Sequence, residues 1–350
     1  MAKISLQGVV KRYPTFTVGP SDLEIPDNEF FGIFGPPSCG KTSILKIILG
    51  LVVPDEGKVF VNGTDVTGLS PEQRNMAMVF QNLALFPHLN GAQNISFPLV
   101  ERGFSKDKID KELDRVSSVL HVGHILHKMP AQMSGGERQR IALGRAFVRQ
   151  PGAFLLDEPI AALDARLREE MRVELKRLQS EGNHTFIYVS HDEEEVMSVA
   201  DRLAIVVDGK VLQVGTPDEI YNRPNDVRVA TQIGSPPMNL IQGNVNGTGY
   251  FEADGFEFSL PLDFLSEKPQ GATTLGIRPE NLAIGQLPQI GSFEAKVVAV
   301  EPLGGHTIVD MHAGQQTIKV RIAGQHSYKD GERLYLHPDV QHMHFFKPGA

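Results

Sequence analysis

FFGIFGPPSCGKTSILKIIL, residues 30–49, decides the fold. Phe30–Phe34 is a short apolar run, and a Gly/Pro/Ser-rich stretch, Gly35–Gly40, follows at once. Ser43–Leu49 then reads as a helix with Ile44, Leu45, Ile47 and Ile48 on its buried side. Strand, glycine loop, helix is the opening of a nucleotide-binding α/β unit. Within it Gly35, Pro36, Pro37, Ser38, Cys39, Gly40, Lys41 and Thr42 fit G-x-x-x-x-G-K-[ST]. Backbone N–H groups and a helix N-terminus would face a β-phosphate, and the glycines let the main chain approach it. Lys41 would bridge the β- and γ-phosphates, the Thr42 hydroxyl suits Mg²⁺, and Ser43 reaches the α-phosphate from the same turn. Such a match arises by chance in roughly 1 in 100 chains of this size, so its place between strand and helix matters.

Working outward, Ala77–Phe80 reads as a strand ending at Gln81. Residues 83–149 carry helical periodicity punctuated by Gly91, Pro98, Gly103 and Pro130, a helical insert in the α/β core. Ala153–Leu156 is a buried-strand run that delivers Asp157 and Glu158 at its C-terminal end, where open α/β sheets bind ligands. Asp157 would hold Mg²⁺ through water, and Glu158 would polarise the attacking water. Leu163, Leu167, Met171, Leu175 and Leu178 mark an amphipathic helix that stops at Gly182. Phe186–Val189 leads to Ser190 and His191, and Leu203–Val207 with Val211–Val214 form a hairpin around Asp208-Gly209. Gln81 and His191 therefore fall on the sheet edge of Glu158. The histidine could contact the γ-phosphate, the glutamine Mg²⁺ or the water. Each alone reads equally as a polar strand end.

Ser134, Gly135, Gly136 and Glu137 open a helix carrying Arg138, Arg140 and Arg145. Hydroxyl and N–H groups at a helix start make a second anion site. One chain needs one phosphate cradle, so this one is expected to close on the ATP of another subunit. By itself an ordinary N-cap turn explains it.

Near Gly234-Ser235-Pro236-Pro237 the texture changes to short strands: Leu240–Val245, Tyr250–Phe258, Thr274–Ile277, Phe293–Val300, Thr307–Met311, Ile318–Ile322 and Arg333–Leu336. A small β-barrel or sandwich is expected. The 350 residues suit one large α/β domain and a smaller one. A net charge of −8 without a long basic run argues against nucleic acid as the main partner. The single Cys39 rules out an intramolecular disulfide and suits a reducing compartment. The first residues lack an apolar signal-type run, and no stretch approaches a membrane span. A chain soluble by itself is expected, with any membrane role coming through a partner.

In combination these pieces resemble the ATPase subunits of ABC transporters: Gly35–Thr42, Gln81, SGGERQR at 134–140, LLDEP at 155–159, Ala162-Leu163-Asp164, and Ser190-His191-Asp192. The likeness covers residues 1–233. GSPPMNL at 234–240 and GIRPE at 276–280 further resemble carbohydrate-importer ATPases of the maltose and glycerol-3-phosphate type. The resemblance implies a cassette with a RecA-like core and helical subdomain (about 83–149), then an OB-like regulatory β-barrel over 234–350. It implies Tyr13 stacked on adenine, Mg²⁺ held by Thr42, Gln81 and Asp157, and Glu158 with His191 in catalysis. It implies Asp164 at the dimer interface, Ser134–Glu137 on ATP in trans, and Phe86-Pro87-His88 near the permease's coupling helix. Partners would be a second ATPase subunit (a homodimer, with a heterodimer open), two transmembrane permease subunits and, indirectly, an extracytoplasmic binding protein. The place is the cytoplasmic face of the membrane.

The expected function is energising import of a sugar, polyol or glycoside. Importers of polyamines, iron or oxyanions have related tails and remain alternatives. A non-transport ABC ATPase would carry two cassettes or a long coiled-coil insertion, and a phosphate-loop kinase would not need Ser134–Glu137. Departures from the usual pattern are Pro37 in the loop, Thr42-Ser43 in place of Ser-Thr, Met133 for leucine and Glu137 for glutamine. Pro159–Ala162 also lacks the usual serine.

Overall fold

The computed structural model describes residues 2–161, 163–246, 248–260 and 271–347. Its contacts divide into two compact units, Met1–Pro217 and Asp218–Ala350. In the first, the elements in chain order are β1 (Ile4–Tyr13), β2 (Phe16–Ile25), β3 (Phe30–Phe34), α1 (Lys41–Leu49), β4 (Glu56–Val61), β5 (Thr64–Asp65) and β6 (Met76–Val79). Then come α2 (Gly91–Glu101), α3 (Lys106–Val119), α4 (Gly135–Phe147), β7 (Ala153–Asp157), α5 (Ala165–Gly182), β8 (Phe186–Ser190), α6 (Glu193–Val199), β9 (Arg202–Val207) and β10 (Lys210–Gly215).

Continuous apolar runs pair as a six-stranded sheet in the order β10-β9-β3-β8-β7-β6. All neighbours are parallel except the edge pair β9–β10. Every residue of β3, β7 and β8 is buried, as a parallel sheet covered on both faces requires. The register sets Phe34 beside Ser190, Asp157 beside Val189 and Val79 beside Leu156. The residues that follow these strands, Gly35, His191, Glu158 and Gln81, thus emerge on one edge. Residues 4–13 and 16–25 form the two ten-residue strands of a second, antiparallel sheet, β2-β1-β4-β5.

Nine residues are too few for a helix to persist alone, so burial makes α1. Ile44, Leu45, Ile47 and Ile48 are at most 1% exposed, each contributing about 1.5–3 kcal/mol relative to exposure. Gly50 ends the helix at φ 88°. The Arg74 guanidinium donates to the carbonyls of Ile47 and Ile48 in the last turn, at 2.7 Å each.

The second unit takes in most of α7 (Pro217–Asn222), then α8 (Val227–Gln232), and two five-stranded antiparallel sheets. Its strands are β11 (Asn239–Val245), β12 (Tyr250–Ala253), β13 (Phe256–Ser259), β14 (Gly271–Ile277), β15 (Leu282–Gly285), β16 (Phe293–Pro302), β17 (His306–Ala313), β18 (Gln316–Ala323), β19 (Arg333–Pro338) and β20 (Met343–Phe346). The sheets run β13-β12-β11-β14-β20 and β15-β19-β16-β17-β18. They share one core, in which Ile241, Phe251 and Leu275 meet Val297, Val309 and Leu336.

The structure differs from the sequence expectations in four places. Tyr250–Phe258 is a hairpin rather than one strand, because Gly255 turns the chain at φ 91°. Strands β15 and β20 are additional; at four residues each, alternation is too short to read. At the end of α5 the left-handed residue is Asn183, with φ 48°, and Gly182 remains helical. The division between units falls at Pro217, ahead of the expected 233/234. Here Arg278, 2% exposed, donates to the carbonyls of Tyr221 (3.1 and 2.6 Å) and Ile233 (2.7 Å). Its guanidinium also lies 3.6 Å over the Tyr221 ring. One cation therefore binds the short helices to the β-rich unit.

Candidate active site

Gly35 leaves β3 so close to β9 that a Cβ there would lie 2.0 Å from the Val206 carbonyl oxygen. Only glycine permits this path. The loop then wraps its own lysine. Lys41, 5% exposed, donates from Nζ to the Gly35 and Pro36 carbonyls, both at 2.8 Å. Gly40, at φ 106°, stands at the start of α1. Cys39 is buried beside Lys41, and burial pushes its thiol pKa up, which suits packing rather than nucleophilic chemistry.

Three strand ends converge on one carboxylate. Gln81 Nε2 donates to Glu158 Oε2 at 3.0 Å, and His191 Nδ1 lies 2.8 Å from Glu158 Oε1. Glu158 itself has φ 46°, while its N–H keeps a sheet bond of 2.9 Å to Val189. A left-handed glutamate costs about 1–3 kcal/mol, and such strain clusters at functional sites. Pro37, Ser38, Gly40, Lys41, Thr42, Ser43, Gln81 and Glu158 line one cleft of about 300 Å³.

Beside this cleft the Thr42 hydroxyl donates to Asp157 Oδ1 at 3.0 Å. Burial, reinforced by the neighbouring Glu158 charge, raises the Asp157 pKa against that hydrogen bond. Hydroxyl and carboxylate oxygens are hard donors of the kind Mg²⁺ takes. Among the described residues no cluster of three or more His, Cys, Asp or Glu forms a cage for a metal. Mg²⁺ usually takes one or two carboxylates together with substrate phosphates, and the Thr42–Asp157 pair offers one carboxylate and one hydroxyl.

The aromatic wall of the cleft is Phe16, which no sequence argument singled out. Tyr13 pairs with Phe16 across the Pro14-Thr15 turn, with ring centroids 6.3 Å apart and planes inclined 16°. The signal was present as two aromatics flanking a tight turn, yet register alone decides which one faces Gly40.

Ser134–Glu137 lie outside this cleft. Ser134 Oγ accepts from Glu137 N at 3.2 Å, and Glu137 Oε2 accepts from Ser134 N at 2.7 Å, a complete capping box for α4. Lys128 adds a bond of 2.8 Å to Glu137, which holds that carboxyl below the usual range. The glycines also have a packing reason: a Cβ on Gly136 would meet Leu167 Cδ2 at 2.7 Å, and one on Gly135 would meet Leu163 at 3.2 Å. Asp164 caps α5, accepting from Leu167 N at 3.0 Å. Ala162 lies outside the described residues.

Comparison with known proteins shows the family. A family profile described as "ABC transporter" matches residues 18–161, "MalK OB fold domain" matches 234–282 and "TOBE domain" matches 275–346. The chain is 40% identical to the sn-glycerol-3-phosphate import ATP-binding protein UgpC of Chromohalobacter salexigens, covering 99% of this chain and 94% of that protein. It is 39% identical to the protein of the same name from Escherichia coli K12, covering 99% and 98%. Among solved structures, the dimeric post-hydrolysis state of the ATP-binding cassette MJ0796 bound to ADP and Pi covers 61% of this chain and 98% of its own. It matches with a TM-score of 0.55 and 27% identity. Among the described residues no helix is long and apolar enough to cross a membrane. With the three profiles in succession and 39–40% identity over almost the whole length, the family is shown: the chain belongs to the ATP-hydrolysing, ATP-binding subunits of ABC transporters.

Proposed function

We propose that this chain powers an importer for a polyol phosphate of the sn-glycerol-3-phosphate class, at the cytoplasmic face of the membrane. The observation that carries the catalytic part is the Glu158 carboxylate, gripped by Gln81 and His191 beside the phosphate loop. Lys41 and the loop amides bind the ATP phosphates, Ser43 reaches the α-phosphate, and Tyr13 with Phe16 supports the adenine. Thr42, Asp157 and Gln81 hold Mg²⁺, which neutralises charge on the phosphates when bound. Glu158 accepts the proton of the attacking water as the bond from the γ-phosphorus to the bridging oxygen breaks, giving ADP and phosphate. His191 orients Glu158 and the γ-phosphate.

Ser134–Glu137 act on the ATP of a second subunit, with Asp164 at the interface between the two. Their exclusion from their own chain's cleft favours that arrangement. Two permease subunits, reached through residues around Phe86-Pro87-His88, turn dimer closure into alternating access, and an extracytoplasmic binding protein delivers the substrate. The β-rich part from residue 234 has the regulatory role. The full-length likeness to the glycerol-3-phosphate import proteins favours this substrate over polyamines, iron or oxyanions.

Proteoliposomes holding the chain with its permease test both halves together. Hydrolysis should be stimulated by sn-glycerol-3-phosphate with its binding protein. Glu158→Gln should keep ATP binding and lose about 10²–10⁴-fold in turnover. Near-normal turnover in that variant removes Glu158 from the role of base, and stimulation by a different solute alone removes the substrate assignment.

A further inference from the structure

His191 stands between two residues that are themselves tied down. Ser190 Oγ donates to Glu195 Oε2 at 2.7 Å and accepts from Asp192 N at 3.0 Å. Glu195 is 2% exposed, and its Oε2 also accepts from the Tyr188 hydroxyl at 2.9 Å. A buried carboxylate needs a cation, and Arg168 of α5 supplies one. Its Nη1 lies 3.3 Å from Asp192 Oδ2, and its Nε lies 3.6 Å from Glu195 Oε1. The same guanidinium reaches back to the chain just before α5, donating from Nη2 to the Leu163 carbonyl at 3.2 Å.

A single planar fork thus joins the residue before Asp164 to both sides of His191. One arm of it is unfinished. Nε is buried and ion-paired with Glu195 Oε1, but at 3.6 Å the contact is longer than a hydrogen bond. A buried donor at that distance gains from a small displacement that shortens the contact. The Leu163 side chain meanwhile sits where it would touch a Cβ on Gly135, so the opening of α4 bears on the same segment.

We propose that Arg168 is a positioning residue for the Glu158–His191 pair. It transmits the placement of Leu163 and Asp164 to the imidazole through Asp192 and Glu195, and its Nε–H closes on Glu195 when that segment moves. The inference rests on the proposed roles of Glu158 and His191. A monodentate ammonium on a flexible stem does not hold three acceptors at fixed angles, so lysine replaces this fork only in part.

The test uses the full chain in complex with its permease, comparing Arg168→Met and Arg168→Lys with the native protein. Turnover, KM for ATP, binding of a fluorescent ATP analogue and the ¹⁵N imidazole signal of His191, assigned with His191→Gln, are measured. Arg168→Met should lower kcat about 10–100-fold, leave nucleotide affinity within about twofold and move the His191 signal. Arg168→Lys should recover part of the rate and keep the proposal testable if the methionine variant folds poorly. Native kcat with an unmoved His191 signal in either folded variant overturns the proposal. Parallel loss of rate and nucleotide affinity also overturns it, because that pattern marks general loosening. Glu158→Gln in the same preparation separates the two readings. If it keeps its turnover, the site assignment fails; if it loses turnover while Arg168 variants behave natively, only the positioning role fails.

Discussion

At the scale of single residues, the site is built from side chains whose partners lie far away in sequence. Thr42 with Asp157 and Gln81 with Glu158 are the clearest cases, whereas the Lys41 ammonium is held locally by the carbonyls of its own loop. In its proposed role Lys41 would exchange two neutral acceptors for charged β- and γ-phosphate oxygens, and charge-assisted bonds are roughly twice as strong as neutral ones. Lys41→Ala should therefore weaken ATP binding by about 1.5–3 kcal/mol, a loss of roughly ten- to a hundredfold in affinity. Titration with a fluorescent ATP analogue checks this, and unchanged affinity contradicts the phosphate-loop assignment. Glu158 differs in kind. Its left-handed backbone is held by a sheet bond on one side and two side-chain partners on the other, and its proposed contribution is to the reaction rather than to binding.

Elements explain why the Ser-Gly-Gly-Glu run has its composition. Before any partner arrives, Ser134 and Glu137 already satisfy two donors at the start of α4, and the glycines admit Leu163 and Leu167. Glu137→Ala breaks the box and should cost about 1 kcal/mol, whereas Glu137→Gln keeps it and should cost about 0.5 kcal/mol through the lost Lys128 pair. Amide hydrogen exchange over the first turn of α4 reads this directly; equal protection in all three proteins would exclude a stabilising box. Because the Glu137 pKa is lowered, its contribution is present above the ordinary glutamate range and lost as pH falls through the lowered value.

For the whole molecule the question is where the second wall of the nucleotide site comes from. The cleft of the phosphate loop is lined by residues of β2, the loop itself, α1, Gln81 and Glu158, and leaves Ser134–Glu137 outside. In the proposed arrangement a second subunit in head-to-tail contact would bring its own Ser134–Glu137 segment to this cleft. Ser134→Arg places bulk and charge on that surface. It should block ATP-driven dimerisation in a Glu158→Gln background while sparing ATP binding to the monomer. Sedimentation velocity with and without ATP measures it, and undiminished dimerisation would sink the two-chain site.

The loop 35–42, the acids 157–158 and their strand–loop–helix setting were legible in the sequence because local spacing alone encodes them. Gln81 and His191 were legible once parallel strands were inferred, since each follows an apolar run and the sheet has one C-terminal edge. The hydrogen bonds that gather these two on Glu158, the choice of Phe16 as the cleft wall and the fork of Arg168 were decided by tertiary structure. Each depends on register or on which side chains share a few ångströms of space, and neither quantity is carried by any short window of residues. The same holds for Arg278, part of the GIRPE run in sequence, whose bonds to the Tyr221 and Ile233 carbonyls tie residues 218–233 to the second unit. The sequence by itself determined the strand–loop–helix motif and the strands whose ends carry the candidate residues, while the strand order came from the structure. Packing decided the partners, because a side chain's neighbours are set by the whole chain's path through space.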